Sequence, residues 1–327
     1  MNVPNNPIFF ASRRRFLQSQ VAHGAAVLSM AAASGVSSSG ARTYAAESVG
    51  QWPIAIFEKV FEDLNYQELA DALVQVGADG VEATIRPGGH IEPEAAEDEV
   101  PKMVAALQQR GKKLLIAATH IASADEPTTE PLLKALKSNG IYYYRMKHYF
   151  YDLQKPMLPQ LKEFNRQIRD LSQLNRQLGL QGLYQNHSGG SAKQGYVGAL
   201  GVDVPMLLDG IEPKLFGLAF DTRHLRKDTG SSWQTSVAAC KPHIRSIYVK
   251  DGIWEGPRGD QYRDVPLDTG FVNQGVFDTM RAGLEPMPLS IHMEWLGYRR
   301  FKRDEIQSAI DANRRDTQTL RKWISTS

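Results

Sequence analysis

Short apolar runs recur along the chain at WPIAIF (52–57), GVEATI (80–85), KKLLIAAT (112–119), IYYYRM (141–146), LQGLYQ (180–185), KLFGLAF (214–220), IRSIYVK (244–250) and PLSIHME (288–294). Their starts lie roughly 28 to 44 residues apart, the length of a strand plus a crossover helix. Amphipathic stretches fill the gaps. YQELADALVQVG (66–77) sets Leu69, Leu73 and Val76 on one helical face and closes on a glycine. VPKMVAALQQRG (100–111) opens with an early proline and also ends in glycine, and residues 157–178 and 303–324 carry similar spacing. Strand and helix alternating eight times predict one (β/α)8 TIM barrel over residues 47–327. An open doubly wound sheet is the competing architecture. Eight units are long for it, and no GxGxxG follows the first strand.

In such a barrel, chemistry sits where strands end and the next loops begin. Those ends supply Glu82, His120, Arg145, Gln185, Asn186, His187, Asp221, His224, Lys250 and Glu294. Seven histidines lie beyond residue 46, and four of them (His90, His120, His187 and His224) fall in these loops. LAFDTRHL (218–225) ends an apolar run on Asp221 and His224. A carboxylate there can ligate a divalent cation or orient a sugar hydroxyl; it can equally cap the following helix. PLSIHMEW places Glu294 at a strand end, two residues after His292 and so on the same face. An acid there is costly unless paired, ligated or functional, whereas His292 reads as a satisfied core histidine.

YVKD (248–251) puts Lys250 where it can stabilise an enolate oxygen or pair with Asp221 or Glu294. YQNHSGG (184–190) offers Asn186 and His187 to a polyol, with His187 as acid or base, against a plain turn. Glu82 reads as a substrate-binding acid or as the salt-bridge partner of Arg86. YYYRMKHYFY (142–151) suits stacking on a sugar face, or simple core packing. Its Arg145 and Lys147 alternate with apolar neighbours and can share a face that binds an anion.

The first 46 residues stand apart. SRRRFL, a weakly apolar run from Val21 to Val36, and TYAAES predict a cleavable leader of the twin-arginine type, hence export to a periplasmic or other extracytoplasmic space. The run is too short and weakly apolar to persist as a membrane span. The leader holds four of the 38 basic residues and no acid, so the remainder balances 34 bases against 36 acids, a net −2. That charge and the lack of a basic stripe argue against nucleic acid as a partner. Cys240 is the only cysteine, so no internal disulfide forms. Oligomeric state is left open.

Taken together, GADGVE (77–82), the Asn186–His187 pair, AFDTRH (219–224), IYVKDG (247–252) and VPLDTGFVNQGVF (265–277) leading to IHMEW (291–295) resemble the sugar phosphate isomerase/epimerase superfamily, whose members adopt the xylose isomerase-like TIM barrel. The resemblance covers roughly residues 52 to 322. It implies proton abstraction next to the carbonyl of a sugar or keto-sugar. Isomerisation, epimerisation, elimination from a keto-glycoside, or sugar binding without turnover would all fit. It also implies one divalent metal (Mn, Co, Mg or Zn) at Gln185, Asp221 and Glu294, no nucleotide cofactor, and Glu294, Lys250 and His187 as the catalytic set. Substrate contacts would come from Glu82, His120, Arg145, Asn186 and His224. Two of the family's four metal positions depart here: Gln185 is uncharged, and Lys250 is cationic where a neutral ligand belongs. Retained metal in an altered geometry, or Lys250 in the metal's electrostatic role, are the two outcomes this leaves.

Overall fold

The computed structural model describes residues 51–325. The leader expected over residues 1–46 lies outside the described residues. Eight parallel strands close a barrel: β1 (Ile54–Phe57), β2 (Gly80–Ile85), β3 (Lys113–Thr119), β4 (Tyr143–Arg145), β5 (Gln181–Gln185), β6 (Phe216–Asp221), β7 (Ile244–Val249) and β8 (Leu289–Ile291). Neighbours in the ring are neighbours in sequence, and β1 closes it by pairing Ile56 with Val81 of β2 and with Ile291 of β8. Each strand lies within the apolar run that predicts it, except that β6 runs one residue further, to Asp221.

Alternation along the strands divides two environments. Ile54, Ile56, Val81, Ala83, Leu218, Phe220, Ile247, Val249, Leu289 and Ile291 join the large cluster shared with the helices. The intervening positions face the barrel interior. There a small apolar group including Ala55, Leu115, Leu183, Ala219 and Tyr248 is continued by polar side chains, Glu82, Arg145, Gln185 and His292 among them.

Helices α1 (Tyr66–Val76), α2 (Ala96–Gln108), α3 (Thr129–Ser138), α4 (Met157–Leu178), α5 (Asp203–Leu207), α6 (Thr222–Thr229), α7 (Trp233–Cys240), α8 (Gln274–Arg281) and α9 (Ile306–Ser325) fill the connections. Asn65 and Glu68 form a reciprocal capping box on α1, and Gly77 stops it in the left-handed region at φ 80°. Helix α2 begins four residues before the expected pattern, so Pro101 falls within it. Glu97, Asp98 and Glu99 fill the first turn and favour that earlier start through the helix dipole. Strand β8 ends at Ile291 rather than at Glu294; beyond it only the His292 N–H still reaches Val249 O, at 3.2 Å. Two antiparallel ribbons, Phe150–Asp152 with Gln194–Tyr196 and Asp251–Glu255 with Gln261–Val265, follow β4, β5 and β7. Among the described residues no helix is long and apolar enough to cross a membrane.

Candidate active site

The ends of β5 to β8 converge on one cation. Lys250, immediately after β7, places Nζ 3.1 Å from Asp221 Oδ2 and 2.9 Å from Glu294 Oε1. Its backbone is held in turn by Thr222, whose Oγ1 donates to Lys250 O at 3.1 Å. An ammonium carries three N–H donors. One is given to Glu294 while Asp221 is held as an ion pair, and Lys250 lines a cavity of about 480 Å³.

Asp221 is bound from several directions. Oδ1 accepts the His224 N–H at 2.9 Å, so Asp221 does cap α6, while Oδ2 accepts Gln185 Nε2 at 2.8 Å and forms an ion pair with Lys250. The capping reading of LAFDTRHL is therefore seen through Oδ1, while Oδ2 is taken up by Gln185 and Lys250. Asn186 fixes the strand beneath: its Oδ1 accepts Asp221 N–H at 2.7 Å and its Nδ2 donates to Asp221 O at 3.1 Å. Glu294 is gripped by a second cation, because Arg223 donates to its Oε2. Burial raises the Glu294 carboxyl, but Lys250 and Arg223 overcome that and hold it at about 2.

Three imidazoles flank this knot. His187 lies with its ring centre 3.8 Å from that of His224 and 4.7 Å from that of His148, and it stacks on Tyr196 at 4.2 Å. The hydrogen bonds set the tautomers. His224 Nδ1 accepts the Ser188 N–H at 3.1 Å, so its proton sits on Nε2, a buried atom with no hydrogen-bond partner. His187 Nδ1 donates to Ser188 O at 2.8 Å, leaving Nε2 with a free lone pair. Burial, then the Lys250 charge, lowers His187 to about 4, and burial sends His148 and His224 well below their ordinary value. All three are neutral at pH 7, and all three line the cavity.

Glu82 and Arg145 meet elsewhere, in the barrel interior. Glu82 Oε1 accepts Arg145 Nε at 3.0 Å and Tyr248 OH at 2.8 Å; Oε2 accepts Ser290 Oγ at 2.6 Å and His292 Nε2 at 2.8 Å. The partner of Glu82 is thus Arg145 rather than Arg86. Glu82 is fully buried and does not line the cavity, whereas Arg145 and His292 do. Asn186 and Asp221 also stay behind the lining. His120 sits exposed on the opposite rim. Sequence reasoning passed over Arg223 and His148. Arg223 lies inside the quoted motif between Asp221 and His224, and His148 follows Arg145 by three residues at the end of β4.

The donor set does not fit a divalent cation. The oxygens of Asp221 and Glu294 that face one another are bridged by an ammonium, Gln185 turns its NH2 rather than its oxygen toward Asp221, and the second Glu294 oxygen holds Arg223. Among the described residues no group of three or more His, Cys, Asp and Glu side chains is arranged to hold a metal ion.

No protein-family model matches the chain, and no curated protein matches it by sequence. Solved structures match it by shape. The apo 3-keto-D-glucoside 4-epimerase from E. coli superposes with a TM-score of 0.58 at 13% identity, covering 85% of this chain and 100% of that one. A D-tagatose 3-epimerase-like protein gives 0.60 at 12%, covering 84% and 97%. The probable 3-DHS dehydratase involved in petrobactin synthesis from Bacillus anthracis gives 0.59 at 15%, covering 82% and 98%. At these identities the likeness establishes the fold alone, a single (β/α)8 TIM barrel.

Proposed function

We propose that the protein is an exported sugar-modifying enzyme that removes the proton next to the carbonyl of a sugar or keto-sugar, with Lys250 acting where relatives of the fold would use a metal. The observation that carries this reading is the Lys250 ammonium, fixed between Asp221 and Glu294 with an N–H to spare, in the same cavity as the bare Nε2 of His187. His187 Nε2 takes the proton from the carbon beside the carbonyl. The electron pair moves onto the carbonyl oxygen, and the developing oxyanion is met by Lys250, whose geometry is set before substrate arrives. Asp221, Glu294 and Asn186 are positioning residues for that ammonium. Export by the twin-arginine machinery is part of the reading and rests on the leader alone.

Elimination is the course favoured by the charge arrangement. Both carboxylates at the mouth are tied to cations, so the opposed pair of carboxylate bases that exchanges a proton across two faces is missing. From a 3-keto-glycoside, loss of the C2 proton to His187 and expulsion of the C1 substituent leave an enone. The leaving oxygen recovers a proton from the imidazolium, so charge and protons balance.

The test is to incubate the purified protein with a 3-keto-glucoside in D2O containing excess chelator and to follow C2 deuteration and aglycone release by NMR. Aglycone release above background, persisting in chelator and lost in His187→Asn, supports the elimination. Deuteration without release assigns isomerase or epimerase chemistry instead. Ligand binding with neither would leave a sugar-binding barrel and sink the catalytic reading.

A further inference from the structure

The cavity is more cationic than its knots of charge require. Arg86, Arg145, Lys147, Arg223, Lys227 and Lys250 line it, against a single lining acid, Glu294. Arg145 is paired with Glu82, Lys250 with Asp221 and Glu294, and Arg223 with Glu294 and Asp264. Arg86, Lys147 and Lys227 form no ion pair among the described residues. Lys227 lies 4.1 Å from the centre of the Tyr262 ring, and Arg86 Cζ 5.6 Å from that of Phe57.

Two of these three belong to one side of the mouth. Arg86 follows β2, His120 follows β3 and Lys147 follows β4, and the Lys147 N–H donates to Ile121 O at 2.8 Å, which ties the β4 end to the β3 end. Burial first and then the Lys147 charge lower His120; Glu126 opposes them, and Arg86 adds a smaller push in the same direction as Lys147. The nearby acid, Glu126, is turned away to accept the Ala122 N–H at 3.0 Å and does not line the cavity. In an eight-strand ring, β2, β3 and β4 stand diametrically opposite β6, β7 and β8. Arg86 and Lys147 therefore face Asp221, Lys250 and Glu294 across the opening. Cations in a cavity closed by ligand are costly unless the ligand brings a counter-charge.

The backbone distinguishes between anions. A phosphate site is built on free N–H groups at a glycine turn or helix start. The Pro87–His90 turn after Arg86 has none to offer: Gly88 N–H goes to Glu92 Oε1 at 2.8 Å, Gly89 N–H to Arg86 O at 2.8 Å, and His90 N–H to Thr84 Oγ1 at 3.0 Å. What remains is a guanidinium fork and an ammonium, which suit a planar carboxylate.

We infer that the mouth takes an anionic sugar, a uronate or keto-aldonate, whose carboxylate is received by Arg86 and Lys147 opposite Lys250. The inference rests on the proposed function in placing the reacting carbonyl at the Lys250 end. Calorimetric titration of the purified protein with D-glucuronate, D-glucose and D-glucose 6-phosphate, at low and high salt, tests it. Glucuronate should bind on the order of tenfold or more tighter than glucose, the margin shrinking with salt. Arg86→Met and Lys147→Met, each shown folded by an unchanged melting curve, should each remove most of that margin and leave glucose binding as it was. Equal binding of glucose and glucuronate, no binding of glucuronate, or preference for the phosphate would overturn the assignment. The two readings fail separately. Glucuronate binding with no proton abstraction from any keto-sugar sinks the catalysis alone, and equal kcat/KM on a neutral 3-keto-glucoside and its uronate sinks the anion site alone.

Discussion

Two knots of charge occupy the upper barrel, and they differ in whether anything is left over. In the Glu82 knot an acceptor is saturated: Arg145, Tyr248, Ser290 and His292 fill both carboxylate oxygens, and Glu82 is sealed from the cavity. In the Lys250 knot a donor is only partly used, with two carboxylates on an ammonium that opens on the cavity. Both bury ionised groups, so burial and perturbed ionisation alone would mark each as functional. The unspent hydrogen and the access to the cavity separate them. A closed knot specifies structure, and an open one can act on a ligand.

Breaking the closed knot should give the larger effect on folding. In Glu82→Gln the amide nitrogen replaces one acceptor and faces two of the four donors, and the guanidinium of Arg145 loses its counter-charge. A loss of about 3–5 kcal/mol in urea unfolding is expected, the scale of removing one partner from a buried ion pair. A loss under about 1 kcal/mol would show that the knot is not structural.

Breaking the open knot should act on turnover instead. Lys250→Met removes the oxyanion's partner while Arg223 still holds Glu294 and Gln185 still holds Asp221. A fall in kcat of about 10²–10³-fold on the keto-glycoside is expected, the scale of losing one preorganised donor. The shift in urea midpoint should be smaller than in Glu82→Gln. A Met variant with normal turnover would move the chemistry away from Lys250.

The same division explains what was legible in the sequence. Eight strands, the 157–178 helix and the Gly77 stop follow from periodicity and local caps, which depend on neighbours a few residues apart. The Lys250 knot was partly legible too. Asp221, Lys250 and Glu294 each end an apolar run, and a barrel sends such ends to one place. The partners of Glu82 were not. They come from 63, 166, 208 and 210 residues away, and only the interior register of β4, β7 and β8 brings them together, so the nearby Arg86 looked the better partner. Arg223 was hidden for a different reason. Beside a capping aspartate it reads as an exposed helix residue, and only the position of Glu294 turns it inward. Gln185 could be read as a weakened metal ligand, but its amide orientation, which sets it as a donor to Asp221, is a property of the folded network.

The smallest expected effect is in acid, where the closed knot should show itself without a change of fold. Burial opposes ionisation of Glu82, but His292 and Arg145 outweigh it and hold the carboxyl well below the usual glutamate range. A group depressed in the folded state stabilises above its unfolded value, near 4.3, and that contribution drains away as pH falls toward the folded value. The native protein should therefore lose stability below about pH 4.3 with a slope to which Glu82 contributes at most about 1.4 kcal/mol per pH unit. Glu82→Gln cannot take up that proton. Its own stability, lower at pH 7, should fall less steeply between about pH 4 and pH 2, so the two curves converge on the acid side. Urea midpoints of both proteins across that range measure the convergence. Parallel curves would mean that Glu82 keeps an ordinary affinity for protons, and the closed knot would then be held by packing rather than by charge.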